Sequence, residues 1–237
     1  MAAGGAEPYS HTEYFTMLLA AALRAQDAGD YGIAAALVIR NRTTELISIG
    51  RNTVLSCRDP LGHAEVNAIR GIQSLLPGAR TGHRLGARPR GLEVPVGSLP
   101  STVIIRPAAP RPSPAASESV LYTTLEPCPM CAVAIISSRI GSVVVAAPDE
   151  QGGTLAQKRL AKLPPAWVTL ASEQGLAVHF ASPDSSLIPI PAELAERLTR
   201  AFHATKKTRD AEVSQGVLLR DDIADAIAGL ASQQEPS

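Results

Sequence analysis

The sequence has few aromatic residues, few cysteines, no excess of charge of either sign and no long apolar run. Phe, Trp and Tyr make up 3% of the 237 residues, so a core must rely on Ala, Val, Leu and Ile, and few rings are available for stacking on bases. Three cysteines do not make a disulfide framework of the kind found in small secreted proteins. Lys plus Arg and Asp plus Glu number 22 each, which leaves no overall positive field to attract nucleic acid.

Further absences concern membranes and export. The apolar stretches are broken by charge or proline well before the ~20 residues that a membrane-spanning helix needs. Residues 1–8 lack the basic and apolar segments of a secretory signal. With the low cysteine content, these features predict a cytoplasmic protein.

The hydrophobic pattern predicts strands that alternate with helices. Ser10 and Glu13 form a capping box in front of apolar residues at helical spacing. Further helices are predicted at 63–76, 128–138, 154–163 and 191–204, and strands at 33–39, 45–49, 120–124, 143–147 and 176–180. This alternation predicts an α/β fold with three layers, α/β/α, around a central mixed five-stranded sheet.

Residues 80–114 differ in composition from the rest of the chain. They contain six Arg, seven Pro and a single acidic residue, Glu93, and are far longer than the ~4–6 residues of an ordinary connection. We expect a surface insertion here, with a short strand at 103–105, whose deletion would spare folding. The predicted organisation is a domain at 1–190 that carries this insertion, and a C-terminal helical extension at 191–237 with a short helix at 221–230 and a frayed tail at 233–237.

Two short motifs carry candidate metal ligands. His63 and Glu65 belong to His-Ala-Glu, and Cys128 and Cys131 belong to Pro-Cys-Pro-Met-Cys, each at the predicted start of a helix. Zinc binds imidazole nitrogen and thiolate sulfur, and a catalytic zinc ion keeps one of four positions for water, so His63, Cys128 and Cys131 supply the required number. Cysteines at i and i+3 share one face of a helix, and its N-terminus favours thiolate.

Glu65 is the candidate catalytic residue. Two positions after His63, it can lie beside the open metal position without being a ligand. Its carboxylate would take a proton from zinc-bound water, whose pKa the metal lowers to about 7, and return protons to a ring nitrogen and to leaving ammonia.

Each motif alone has a simpler interpretation. A Cys-x-x-Cys pair could be a redox dithiol, half of a structural zinc site or two buried thiols, and His-x-Glu alone carries little information. A redox dithiol does not require His63 or Glu65, and a structural site requires a fourth ligand, for which Cys57 is the candidate. Considered jointly, the two motifs favour catalytic zinc.

These residues resemble the cytidine deaminase-like superfamily of zinc deaminases, whose signature is His-x-Glu followed by Pro-Cys-x-x-Cys. The likeness extends to Asn52, to Asp59-Pro60 and to the run 121–131, which are similar to bacterial tRNA adenosine deaminases and guanine deaminases. The resemblance implies zinc at His63, Cys128 and Cys131, proton transfer by Glu65, and a homodimer. It also implies that Asn52 binds the edge of the base, and that the backbone amides of Ala64 and Cys128 bracket the reacting carbon.

The sequence also departs from those relatives. Leu61-Gly62 stands where they usually have Thr-Ala, residues 63–69 look somewhat like the deoxycytidylate deaminase branch, and the insertion belongs to neither pattern.

Three functions therefore remain open. The first is a hydrolase acting on C–N bonds of cyclic amidines, a deaminase of a free nucleobase or nucleoside of the cytosine, guanine or adenine type. The second is a tRNA deaminase that converts wobble adenosine to inosine, and the third is a non-catalytic zinc-fold subunit of an RNA-modifying complex. Phosphate contacts for the second would come from basic residues: Arg80, Arg84, Arg88, Arg90, Arg106, Arg111, Arg197, Arg200, Lys206, Lys207 and Arg209.

Overall fold

A computed structural model of the chain describes residues 9–40, 44–75, 93–95, 101–107 and 118–214. Its helices are α1 (His11–Asp27), α2 (Ala64–Gln73), α3 (Pro129–Ser137), α4 (Gln157–Leu160), α5 (Pro165–Glu173) and α6 (Ala192–Ser214). Its strands are β1 (Ala34–Arg40), β2 (Thr44–Arg51), β3 (Glu93–Pro95), β4 (Ser101–Pro107), β5 (Glu118–Thr123), β6 (Ser142–Val145) and β7 (Ala177–Phe180).

The strands form one mixed sheet in the order β3-β4-β2-β1-β5-β6-β7. The pairs β5–β6 and β6–β7 are parallel and the others are antiparallel, including the hairpin of β1 and β2. The predicted α/β class is therefore confirmed. The predicted count of five strands corresponds to the contiguous block β2-β1-β5-β6-β7, and the described residues add two more, β3 and β4, at the β2 edge.

Helices cover both faces of the sheet. One core lies between the sheet and helices α1 and α6, and contains Tyr14, Phe15, Val38, Ile47 and Leu198 among its buried residues. The other lies between the opposite face and helices α2, α3 and α5. Alternate residues of each strand face opposite sides, so neighbouring residues of β1 and β5 contribute to different cores.

Several predicted elements differ from the structure in their bounds. The helix predicted at 154–163 is only the short α4, and the following helix α5, which begins at Pro165, was not predicted. Helix α6 is longer than the predicted 191–204, and its apolar side is buried, with Leu194 and Leu198 in the core against α1. The short helix predicted at 221–230 and the tail at 233–237 lie outside the described residues.

The strand predicted at 103–105 is present and extends over Ser101–Pro107. It pairs with β2 over seven residues, and Val103 is fully buried. This part of the predicted insertion therefore packs into the sheet. The remainder of 80–114, apart from β3, lies outside the described residues, and the division into a domain at 1–190 and an extension at 191–237 stays a prediction.

Helix α2 approaches strand β2 closely at Gly50. A Cβ atom at this position would lie 2.3 Å from the carbonyl oxygen of Ala64 and 2.4 Å from the amide nitrogen of Ala68. Only a glycine allows this approach, which brings the first turn of α2 against the sheet. In the described part of the chain, no helix combines the length and the apolar composition needed to cross a bilayer.

We predict that Val103→Asp lowers the free energy of unfolding by at least about 3 kcal/mol, because it places a charge at a fully buried position. Thr102→Asp is the matched control, since Thr102 is only partly buried on the same strand, and it should cost about 1 kcal/mol or less. Urea unfolding measures both. Equal, small effects would show that β4 does not pack into the sheet.

Candidate metal centre and active site

The candidate site lies where β1, β2 and β5 meet the first turns of α2 and α3. Ala35 of β1 pairs with Gly50 on one side and with Thr123, the last residue of β5, on the other. Helices α2 and α3 pack on the same face of the sheet. Their N-termini therefore converge at this end of the sheet.

The three predicted ligands come together there. Nδ1 of His63 lies 3.7 Å from Sγ of Cys128 and 3.5 Å from Sγ of Cys131, and the three atoms lie within 4.8 Å of one another. Tetrahedral zinc with ordinary Zn–N and Zn–S bonds places a nitrogen and a sulfur ligand about 3.6 Å apart. The arrangement therefore has the size of a zinc site.

Local backbone structure explains why these side chains are available. His63 and Cys128 are the N-cap residues of α2 and α3, both extended, with φ and ψ of −70° and 148° for His63 and −67° and 171° for Cys128. Neither side chain caps its own helix, so both are free to face the common centre. Pro129 at the first position of α3 suits the helix start, and Cys131 lies in its first turn.

No fourth protein ligand joins this cluster within the described residues, where the group of potential ligands comprises His63, Cys128 and Cys131. Cys57, the alternative fourth ligand, is an exposed free cysteine. Three ligands leave a coordination position for water, as in catalytic zinc sites.

A family model described as "Cytidine and deoxycytidylate deaminase zinc-binding region" matches residues 8–147, which include all three ligand candidates and Glu65. The chain belongs to this deaminase family. Zinc is thus the metal of this site, and the donor set of one imidazole and two thiolates fits it.

Relatives of this deaminase-family chain include tRNA-specific adenosine deaminases. One from Aquifex aeolicus is 30% identical over 143 residues, which is 60% of this chain and 69% of the relative. One from Bacillus subtilis is 57% identical over 35 residues, which is 15% of this chain and 22% of that relative's length. A solved structure of guanine deaminase from Nitrosomonas europaea is 19% identical, with a TM-score of 0.48 and coverage of 85% of this chain and 89% of that one.

The surroundings of the two cysteines in the deaminase-family motif shift their pKa values in opposite directions. A hydrogen bond from Cys131 is the main cause that lowers the pKa of Cys128 to about 4. The same bond, with burial, raises the pKa of Cys131 far above its usual range. Burial lowers the pKa of His63, but the hydrogen bond to Cys128 and the negative charges of Cys128, Glu65 and Asp59 together raise it above its usual value. Zinc binds cysteine as thiolate, so binding of the ion would release whatever protons this pair holds.

Glu65 lies beside the ligands and is 4% exposed. Its Oε2 is 3.3 Å from Sγ of Cys131, and its Oε1 accepts a hydrogen bond from the hydroxyl of Thr123 at 3.4 Å. Burial raises the pKa of Glu65. A carboxyl group whose pKa is raised toward neutral can both accept and return a proton.

Asn52 is 2% exposed at the end of β2. Its backbone N–H donates to the backbone carbonyl of Ile33 at 2.9 Å, and its side-chain Oδ1 accepts from the backbone N–H of Val54 at 3.2 Å. Ala64 is fully buried as the first residue of α2. The substrate-binding roles of Asn52, Ala64 and Cys128 stay predictions.

Sequence reasoning missed Glu126, which is 2% exposed and stands two residues before Cys128. Its carboxylate accepts from the amides of Ala156 at 2.8 Å and Asp149 at 3.2 Å, and forms an ion pair with Arg159. It therefore anchors the segment 149–159 to the loop that carries Cys128. The one signal in the sequence was an acidic residue between the predicted strand 120–124 and the ligand Cys128.

We predict that Cys128→Ala and Cys131→Ala each lose stoichiometric zinc, because two remaining ligands bind the ion too weakly to survive purification. Metal analysis of purified protein measures this. Cys57→Ala is the matched control and should keep about one zinc per chain, as the wild type does, since Cys57 is exposed and outside the cluster. One zinc per chain in either of the first two variants would contradict the ligand set.

Proposed function

We propose that this chain is a zinc-dependent hydrolytic deaminase, which removes the exocyclic amino group of a nucleobase or nucleoside of the cytosine, guanine or adenine type and releases ammonia. One observation carries the proposal: Oε2 of the buried residue Glu65 lies 3.3 Å from Sγ of Cys131, which is one of the three candidate zinc ligands. Family membership supports it independently.

The proposed chemistry divides between metal and protein. Bound zinc supplies Lewis acidity, which lowers the pKa of water to about 7. Glu65 would move both protons of the attacking water: its carboxylate accepts the first and gives it to the ring nitrogen, then accepts the second from the same oxygen and gives it to the departing amino group. His63, Cys128 and Cys131 hold the ion, and burial of Glu65 keeps these transfers away from bulk solvent.

Glu65 also argues against the other interpretations. A structural zinc site, a redox dithiol or a non-catalytic subunit does not require the carboxylate of Glu65. Burying a carboxyl group costs free energy, so its presence here needs a reason. Its described partners at the site are the hydroxyl of Thr123 and the thiol of Cys131. A proton-transfer role accounts for its retention beside the ligands.

Adenosine in tRNA is the second candidate substrate, because the Aquifex aeolicus relative, matched over 69% of its length, is a tRNA-specific adenosine deaminase.

Two of the arginines predicted to contact tRNA phosphates already have other partners. Arg106 is not available to contact a phosphate group. It is 9% exposed, stacks over the ring of Tyr9 at 4.0 Å and lies 3.7 Å from the buried carboxylate of Glu45. Arg200 is exposed but forms an ion pair with Glu196. Neutral net charge favours the small substrate.

The proposal includes a homodimer and a cytoplasmic location. The family resemblance supports the dimer, and the need to keep two zinc-binding thiolates reduced supports the cytoplasm. Sedimentation analysis of the zinc-loaded chain tests the dimer, and a monomer at micromolar concentration would exclude it.

We predict ammonia release from at least one member of a panel of cytosine, guanine, adenine, their nucleosides and unmodified tRNA. Glu65→Gln should lower the turnover of that substrate by a factor of about 10² to 10⁴, because it removes the acid–base group while the ligands remain. Zinc content should stay near one per chain.

Glu196→Gln, which changes an exposed glutamate on α6, is the matched control and should keep wild-type rates. Wild-type turnover by Glu65→Gln would remove Glu65 from the mechanism. Inosine formed in tRNA alone, with binding that weakens steeply as salt rises, would favour the second substrate over the first.

A further inference from the structure

The loop 53–62 connects β2 to α2 and separates Asn52 from His63. Its two ends meet, because Thr53 donates to the carbonyl oxygen of Gly62 from its amide N–H at 2.8 Å and from its hydroxyl at 3.3 Å. Compact loops whose ends lie close together are called Ω-loops, and they often carry function. We call the Thr53–Gly62 contact the neck of the loop. It lies directly between the predicted base-binding amide and a metal ligand.

The side chain of Asn67, on helix α2, contacts this neck. Its Nδ2 lies within hydrogen-bond distance of three oxygen atoms: the carbonyl of Arg51 at 2.9 Å, the hydroxyl of Thr53 at 3.1 Å and the carbonyl of Gly62 at 3.2 Å. Since an amide nitrogen carries two hydrogens, one of them is shared between two acceptors. The side chain is 1% exposed. Because a carbonyl oxygen can only accept, the nitrogen and not the oxygen of the Asn67 amide must face this cluster.

The other half of the same amide differs from Nδ2. Oδ1 of Asn67 is buried and has no hydrogen-bond partner among the described residues. A buried unpartnered acceptor is unfavourable, so it must be offset by what Nδ2 contributes at the neck.

Asn67 also belongs to the metal-binding helix. Its backbone N–H donates to the carbonyl oxygen of His63 at 2.9 Å. Asn67 therefore contacts the backbone of the metal ligand His63. It also contacts Arg51 and Thr53, the two residues that flank Asn52. We propose that Asn67 is a positioning residue, which fixes Asn52 relative to His63 and so holds the base of the substrate against the reacting centre. This inference rests on the proposed function and on the predicted role of Asn52 in binding the base.

Gly62 provides an independent way to open the neck. A Cβ atom there would lie 2.7 Å from Oγ1 of Thr53 and 2.9 Å from the carbonyl oxygen of Asp59, closer than atoms can pack. The far part of the loop has a separate anchor, since the buried carboxylate of Asp30 accepts from the amides of Leu55 at 2.8 Å and Ser56 at 2.9 Å. Opening the neck should therefore loosen the Asn52 end locally and leave the domain folded.

The first test is amide hydrogen exchange on the zinc-loaded full chain, which does not depend on activity. Asn67→Leu and Gly62→Ala should each speed exchange at Thr53 about tenfold or more, with α1 unchanged. Ile72→Val is the matched control, because Ile72 is buried on the same helix but packs into the core away from the neck, and it should leave Thr53 as in the wild type. If the amide of Thr53 exchanges at the same rate in Asn67→Leu and in Ile72→Val, the inference is overturned.

The second test separates positioning from general stability. With the base that the wild type turns over, Asn67→Leu should lower kcat/KM about 10- to 100-fold, with a raised KM and about one zinc per chain. A purely structural role would reduce the active fraction and leave KM unchanged, and that result would also overturn the inference. If the wild type turns over no member of the panel, the proposed function fails, whereas the exchange result still decides whether Asn67 holds the neck.

Discussion

The structure depends on the close approach of two helix N-termini at one end of the sheet. Helices α2 and α3 each begin with an extended residue whose side chain is not used as a cap, and those residues are His63 and Cys128. With Cys131 one turn along α3, three ligand atoms lie within 4.8 Å. Pairing of β1 with both β2 and β5 sets the separation of the helices, and the absence of a side chain at Gly50 lets α2 lie flush against the sheet.

Local sequence signals predicted several elements of the fold well. The capping box of α1, the strands β1 and β2, and the two ligand motifs at helix starts all follow from residue types at short spacing. Strand β4 was predicted only as a fragment, because its Arg- and Pro-rich surroundings hid a pairing with β2 more than fifty residues earlier in the chain. The same limit applies to Glu126 and Arg159, whose ion pair joins residues 33 positions apart. Such contacts have no local signature.

Buried polar side chains hold both loops that flank the metal centre. Glu126 anchors the segment 149–159 to the loop before Cys128, and Asn67 holds the neck of the loop between Asn52 and His63. Each is almost fully buried, and each acts mainly on backbone groups rather than on the ligands themselves. We propose that the metal ligands determine the type of reaction, whereas the loops that these two side chains hold contribute to distinguishing one base from another. This division explains why the ligand motifs identify the family but leave the substrate to experiment.

X-ray absorption at the zinc edge of the loaded, substrate-free chain tests the central claim most directly. The account predicts two sulfur neighbours at about 2.3 Å, one nitrogen at about 2.0 Å and one further light atom from solvent. A shell of three or four sulfur atoms, or a second imidazole, would mean that the protein fills the fourth position. The centre would then be structural, and the hydrolytic mechanism would be contradicted.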